Sequence, residues 1–166
     1  MRFAGSLTPG SALDIGSGEG ADAVWMAALG WTVVGVEPAP SAVARAQQAA
    51  RAAGVHVEFR EGLFPEALGA DRFDLVSCCY GVLPRTDAIV RALTAAVRPG
   101  GQVLVVHHDM PEEQSAEVAM PVWLAGELEA DFSVIEVQRH SRSVAAGAGA
   151  HHHTDVVLTA QRPARP

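Results

Sequence analysis

The sequence predicts an α/β domain in which short strands alternate with helices around a mostly parallel sheet. Two observations carry this. Short runs of β-favouring residues alternate with Ala-rich stretches of helical periodicity, and a turn with glycine at every second position follows the first run. A third observation qualifies it. The last two apolar runs are separated only by "SRSVAAGAGAHHHT", which lacks the pattern of a crossover helix, so they should pair as an antiparallel hairpin.

In order, the expected strands are Ala12–Ile15, Thr32–Glu37, Val55–Arg60, Phe73–Cys79, Gln102–His108, Ser133–Arg139 and Asp155–Ala160. The expected helices are Ala21–Leu29, Ser41–Ala53, Asp87–Val97 and Met120–Ala130. Ser41 is a plausible N-cap and Gly54 a plausible C-terminal cap. "RPGG" at Arg98–Gly101 should end the third helix and turn into a strand. The 166 residues fit one domain over 1–166, with a short N-terminal extension at 1–10 and a frayed tail at 161–166.

Bulk composition narrows the function. Hydrophobic residues are 49% of the chain, enough for a buried core, and the formal net charge of −7 disfavours binding to a polyphosphate. No apolar run has the length of a membrane span or the layout of a signal peptide, which predicts a cytoplasmic protein with no membrane partner. Cys78 and Cys79 are adjacent and read as buried thiols rather than a disulfide.

The turn "DIGSGEG" places Gly16, Gly18 and Gly20 just past Asp14, where an open α/β sheet binds its ligand. A phosphate-binding loop would need a Lys and a Ser/Thr after the glycines, but Ala21 and Asp22 follow. Asp14 and Glu19 would repel a pyrophosphate. Glu37, about twenty residues on, can accept hydrogen bonds from ribose hydroxyls. Together these features indicate a nucleoside ligand without phosphates, although a nicotinamide cofactor would use the same acid.

"LDIGSGEG", "GVEP", "DRFDLVSCCYGVL" and "RPGGQVLVV" resemble, in order and spacing, the class I S-adenosylmethionine-dependent methyltransferases, specifically the small bacterial enzymes that act on metabolites. The resemblance covers about residues 10–160. It implies a Rossmann-like three-layer sandwich with seven strands in the order 3-2-1-4-5-7-6, the seventh antiparallel. It also implies S-adenosyl-L-methionine as cofactor and methyl transfer by in-line displacement to an O, N or S nucleophile of a small molecule. By this resemblance Gly16, Ser17 and Gly18 line the methionine and ribose, Asp14 lies beneath, Glu37 holds the ribose hydroxyls and Pro38 flanks adenine. Cys78, Cys79 and Tyr80 stand close to the sulfonium and substrate. The family often has an Asp after the third strand; Leu63 stands there, so Gly62 and Leu63 should hold adenine by backbone and packing. The family's N-terminal roof helices have no counterpart in the ten or so residues before the first strand. That leaves an open pocket, one roofed by Met110–Ala130, or one covered in a homodimer.

Two histidine groups should meet at the ligand edge of the sheet: His107 and His108 in "VVHHDM", and His151, His152 and His153 in "AHHHTD". Three roles stay open for them: a polar rim, a general base with His107 or His108 as the catalytic group, or a metal cluster, with no metal expected. Tyr80, His107 and Trp123 are the candidate substrate contacts. Two rival functions remain, a non-catalytic cofactor-binding domain or inactive partner subunit, and a nicotinamide-dependent oxidoreductase.

Overall fold

The computed structural model describes residues 7–143 and 152–164. His151 and the extreme ends of the expected extension and tail lie outside them.

Among the described residues the elements follow in chain order: β1 (Ser11–Ile15), α1 (Ala21–Ala28), β2 (Thr32–Glu37), α2 (Pro40–Ala52), β3 (Val57–Glu61), β4 (Phe73–Cys79), α3 (Asp87–Ala96), β5 (Val97–His108), α4 (Glu112–Ser115), α5 (Pro121–Glu127), β6 (Val134–Ser141) and β7 (Thr154–Gln161). The strands form one sheet in the order β3-β2-β1-β4-β5-β7-β6. β1 to β5 pair in parallel, and β7 is antiparallel to both β5 and β6. This is the expected fold and strand order.

Strand residues alternate between the two faces. Leu13, Ile15, Val34, Val36, Val76, Val103, Val105 and Leu158 pack with Leu93 of α3, Leu124 of α5 and Leu128 just after it. Ala12, Val33, Leu75 and Leu104 pack on the opposite face with Ala23, Met26 and Ala50 of α1 and α2.

Several boundaries differ from expectation for identifiable reasons. α2 starts at Pro40, whose ring presets the helical φ, and its N-cap is Ala39, so Ser41 is already inside the helix and does not cap it. Gly54 does end the helix, with φ 67° and its N–H on the Arg51 carbonyl. β5 begins at Val97 rather than Gln102, because the chain stays extended through "RPGG" with Gly100 at φ 82° and a register shift opposite Phe73 and Leu75. The start of the expected tail is not frayed. The Arg162 side chain donates to the Thr94 and Val97 carbonyls at the end of α3 (2.8 and 2.6 Å), and its backbone pairs with Gly100 and Gly101. No helix among the described residues is long and apolar enough to cross a membrane.

Candidate functional site

The glycine turn is built by main-chain constraints. Gly16, Gly18 and Gly20 all have positive φ (68°, 54° and 84°), a region costly for residues with a Cβ. The Gly16 and Ser17 N–H groups both donate to the Val36 carbonyl (2.8 and 3.1 Å), which pins the turn against the end of β2. Gly20 opens α1 where a Cβ would come within 2.8 Å of Ala46 Cβ. Gly18 is different: a Cβ there would meet nothing within 4 Å, so its surface is open to a ligand.

Glu37, at the end of β2, is oriented by this turn. Its Oε2 accepts the Gly18 N–H (3.0 Å) and its Oε1 the Ala39 N–H (2.9 Å). The carboxylate is therefore aimed before any ligand arrives, and each oxygen keeps a lone pair for a further donor. Gly62 ties the end of β3 to the same place through its N–H on the Glu37 carbonyl (3.1 Å).

A cavity of about 660 Å³ opens at this edge. Gly16, Glu37, Pro38, Leu63, Tyr80 and Val82 contribute to its walls, with Ile89 of α3 behind them. Leu63 (63% exposed) and Val82 (74% exposed) give it an apolar rim. Asp14, Ser17, Gly18, Gly62, Cys78 and Cys79 are not on its walls. Most of these sit under or behind the turn.

The groups beneath the turn carry unusual protonation. Asp14 is buried, and desolvation together with the nearby Asp22 raises its carboxyl from 3.8 to about 7, although Ser77 Oγ donates to it (3.1 Å). Burial also raises the Cys78 thiol to about 12. Burial next to Asp22 and Asp14 raises the Cys79 thiol further, and that thiol donates to Asp22. Both sulfurs are neutral at physiological pH and unsuited to be nucleophiles. Ser17 Oγ is buried against Gly35, without a hydrogen-bond partner among the described residues. Asp22 and Ser77 belong to this layer and were not foreseen. The strand alternation that puts Asp14, Ser77 and Cys79 on one face was the available signal.

Tyr80 follows β4 with φ 59°, the sole positive φ among the described non-glycine residues. Its N–H donates to the Val106 carbonyl (2.8 Å), and its hydroxyl donates to Asp155 Oδ2 (2.8 Å). Gly81 follows where a Cβ would lie 2.7 Å from Cys78 Sγ.

The two adjacent histidines of β5 have opposite fates. His107 is 8% exposed, its Nδ1 donates to the His108 carbonyl (3.3 Å), and desolvation lowers its pKa. His108 projects from the other face. Its Nδ1 is 2.9 Å from Asp155 Oδ1, its ring stacks on His152 (centroids 4.2 Å apart), and the tilted Tyr80 ring is 4.6 Å away. The expected meeting of histidine groups thus holds for His108 and His152, brought together by the antiparallel register His108↔Asp155. Among the described residues no three His, Cys, Asp or Glu side chains are arranged to hold a metal ion.

Trp123 lies elsewhere. It lines a second cavity of about 270 Å³ with Arg85, Met110, Met120 and Arg139, and the Arg85 guanidinium sits 5.3 Å from its ring centroid. Residues 110–130 do not roof the first cavity. They brace its wall, since Val118 bridges to Pro84 and the Ala119 N–H donates to the Leu83 carbonyl.

A sheet of this order, with a glycine turn after β1 that orients an acid at the end of β2, defines a Rossmann-like α/β domain. Comparison with known proteins sharpens this: residues 12–101 match the methyltransferase domain family, and the chain belongs to that family. It is 42% identical over 94 residues to a ubiquinone biosynthesis O-methyltransferase of Methylobacterium nodulans, covering 55% of this chain and 38% of the relative. It is 36% identical over 103 residues to the corresponding Pseudomonas putida protein, covering 59% of this chain and 44% of the relative. The match thus spans less than half the length of these curated relatives. The fold is shared with the N-methyltransferase NodS of Bradyrhizobium japonicum, solved with S-adenosyl-L-homocysteine, at a TM-score of 0.74 and 16% identity over 96% of this chain and 81% of that one.

Proposed function

We propose that this protein is an S-adenosyl-L-methionine-dependent methyltransferase acting on a small-molecule acceptor in the cytoplasm. The observation that carries the reading is Glu37, whose carboxylate is held by two backbone N–H groups at the wall of a 660 Å³ cavity, beside a glycine with open space above it. The residues present suit the cofactor. Glu37 accepts from the ribose hydroxyls, Gly16 and Gly18 let the main chain approach closely, and Pro38 and Leu63 pack against the base. Gly62 sets the position of Leu63. Asp14, Ser17, Cys78 and Cys79 act from beneath by shaping the turn.

Bound there, the cofactor supplies an already activated methyl group. The chain's own task is alignment and exclusion of water, which can lower a barrier by several kcal/mol when the reacting atoms are held at near-attack distance. Tyr80 and the exposed, apolar Val82 form the acceptor side of this arrangement. His107 is enclosed and would act only by packing, and Trp123 would act only through the loop that separates its cavity from the first. The O-methyltransferase names of the relatives favour an oxygen acceptor, and the net charge of −7 favours a small molecule over a nucleic acid.

Titration calorimetry with S-adenosyl-L-homocysteine and with NAD tests the reading. Micromolar or tighter binding of the first and none of the second is the expected result. The reverse would replace it with an oxidoreductase. Binding without turnover of any acceptor would make the protein a non-catalytic cofactor-binding domain.

A further inference from the structure

Tyr80 holds a backbone conformation that its own side chain opposes. Its φ of 59° lies in the left-handed region, which is uphill for a residue with a Cβ and rarely taken by a bulky one. Such a conformation persists only where the surrounding structure over-determines it. Here the residue is held at both ends. Its main-chain N–H donates to the Val106 carbonyl of β5 at 2.8 Å. Its side chain crosses the end of β5, with its ring 4.6 Å from that of His108, and its hydroxyl donates to Asp155 Oδ2 of β7 at 2.8 Å. The Arg142 guanidinium stands 5.6 Å from the ring centroid, and Arg142 Nε is 3.4 Å from the same carboxylate oxygen, so the anchor is itself braced. One side chain thus ties the exit of β4 to a strand two places away in the sheet.

The forced turn produces a close backbone approach. Gly81 follows it and packs onto the glycine turn after β1. A Cβ on Gly81 would lie 2.7 Å from Cys78 Sγ and 3.3 Å from the Ile15 carbonyl oxygen, and a Cβ on Gly16 would lie 3.3 Å from Gly81 Cα. The Cys78 thiol donates to the Gly81 carbonyl at 3.8 Å. Gly16, Tyr80 and Gly81 all line the cavity of about 660 Å³, so the contact between the two turns is part of its wall. Asp155 and Arg142 do not line that cavity and are joined to it through Tyr80. A return of residue 80 to negative φ would redirect the chain at Gly81 and part it from Gly16.

We propose that Tyr80 is a positioning residue for the cofactor: anchored on Asp155, its side chain holds the left-handed turn that seats Gly81 on Gly16 and so fixes the wall the cofactor binds against. This rests on the methyltransferase reading above. The part played by the hydroxyl is conformational, because its proton is committed to Asp155. Tyr80 acts through the backbone it holds, and the property that matters at position 80 is access to positive φ. Glycine has that access without an anchor. Alanine and phenylalanine have neither the anchor nor the access.

Calorimetry with S-adenosyl-L-homocysteine on the full chain tests this. Tyr80→Phe should bind about 3- to 10-fold more weakly than the parent, and Tyr80→Ala about tenfold or more. Tyr80→Gly removes both hydroxyl and ring, yet it should regain most of the affinity lost in Tyr80→Ala and bind more tightly than Tyr80→Phe. A packing role gives the opposite order, since glycine removes the most contact. A second readout needs no cofactor. The amide ¹H–¹⁵N resonances of Gly16 and Gly81 should move in Tyr80→Ala and move back toward the parent positions in Tyr80→Gly. If Tyr80→Ala does not fold, the comparison of Tyr80→Phe with Tyr80→Gly decides in both measurements. Affinity that falls from Phe through Ala to Gly, a Phe variant equal to the parent, or Gly16 and Gly81 resonances that do not respond overturns the proposal and leaves the cofactor reading standing, because the parent binds. If the parent does not bind S-adenosyl-L-homocysteine, both fall.

Discussion

Gly18 donates its backbone N–H to Glu37 Oε2 at 3.0 Å, across nineteen residues of sequence. One contact thus joins the glycine turn to the acid that we propose recognises the ligand. Glu37→Ala should weaken binding of S-adenosyl-L-homocysteine about 10- to 100-fold, the loss of hydrogen bonds to a charged acceptor. Glu37→Gln should be milder. Calorimetry measures both.

Two glycines of the same turn should separate stability from binding. Gly20→Ala forces a Cβ to 2.8 Å from Ala46 Cβ at φ 84°, and should lower stability by roughly 1–3 kcal/mol in urea titration. Gly18→Ala meets no clash and should cost only about 1 kcal/mol of backbone strain. It should instead reduce cofactor affinity, because the new methyl occupies the approach.

The carboxyl of Asp14 titrates near 7 in the folded chain against 3.8 as its ordinary value. The folded protein therefore holds a proton that the unfolded chain has released across this interval. The stability linked to it is complete below about pH 4 and is lost as pH rises to about 7. Asp14→Asn should remove this loss, so the difference in unfolding free energy between parent and variant should change between pH 5 and pH 8 and level off above it. A difference independent of pH would show that Asp14 is ionised throughout.

Both cysteines should be poor nucleophiles. Burial lifts Cys78 to about 12 and Cys79 higher, so iodoacetamide at pH 8 should modify the native protein far more slowly than the protein in urea. Cys79→Ser should leave cofactor binding within about threefold, since its sulfur faces Asp22 and not the cavity.

At the opposite edge of the sheet Asp74 accepts from Ser11 N–H and Oγ (2.8 and 2.7 Å) and from Arg98 (3.1 Å). Despite the desolvation that opposes it, these partners lower its pKa. Asp74→Asn should destabilise the fold by about 1–3 kcal/mol without changing cofactor affinity, which denaturant titration and calorimetry would show together.

Alternation, helical periodicity and turn chemistry are local properties of a chain, and they were sufficient for the strands, the four longer helices, the glycine turn and the acid at Glu37. The sequence by itself therefore determined the fold class and the sheet edge where the glycine turn and Glu37 lie. Boundaries moved where a local device was overlooked, as with Pro40 ahead of Ser41 and the extended "RPGG". Only the tertiary structure decided which of two adjacent histidines faces which layer, that Trp123 stands at a separate cavity, and that Tyr80, His108 and Asp155 converge. The reason is that the β5–β7 register joins residues 47 positions apart, and a shift of one residue would have exchanged His107 for His108 beside the carboxylate.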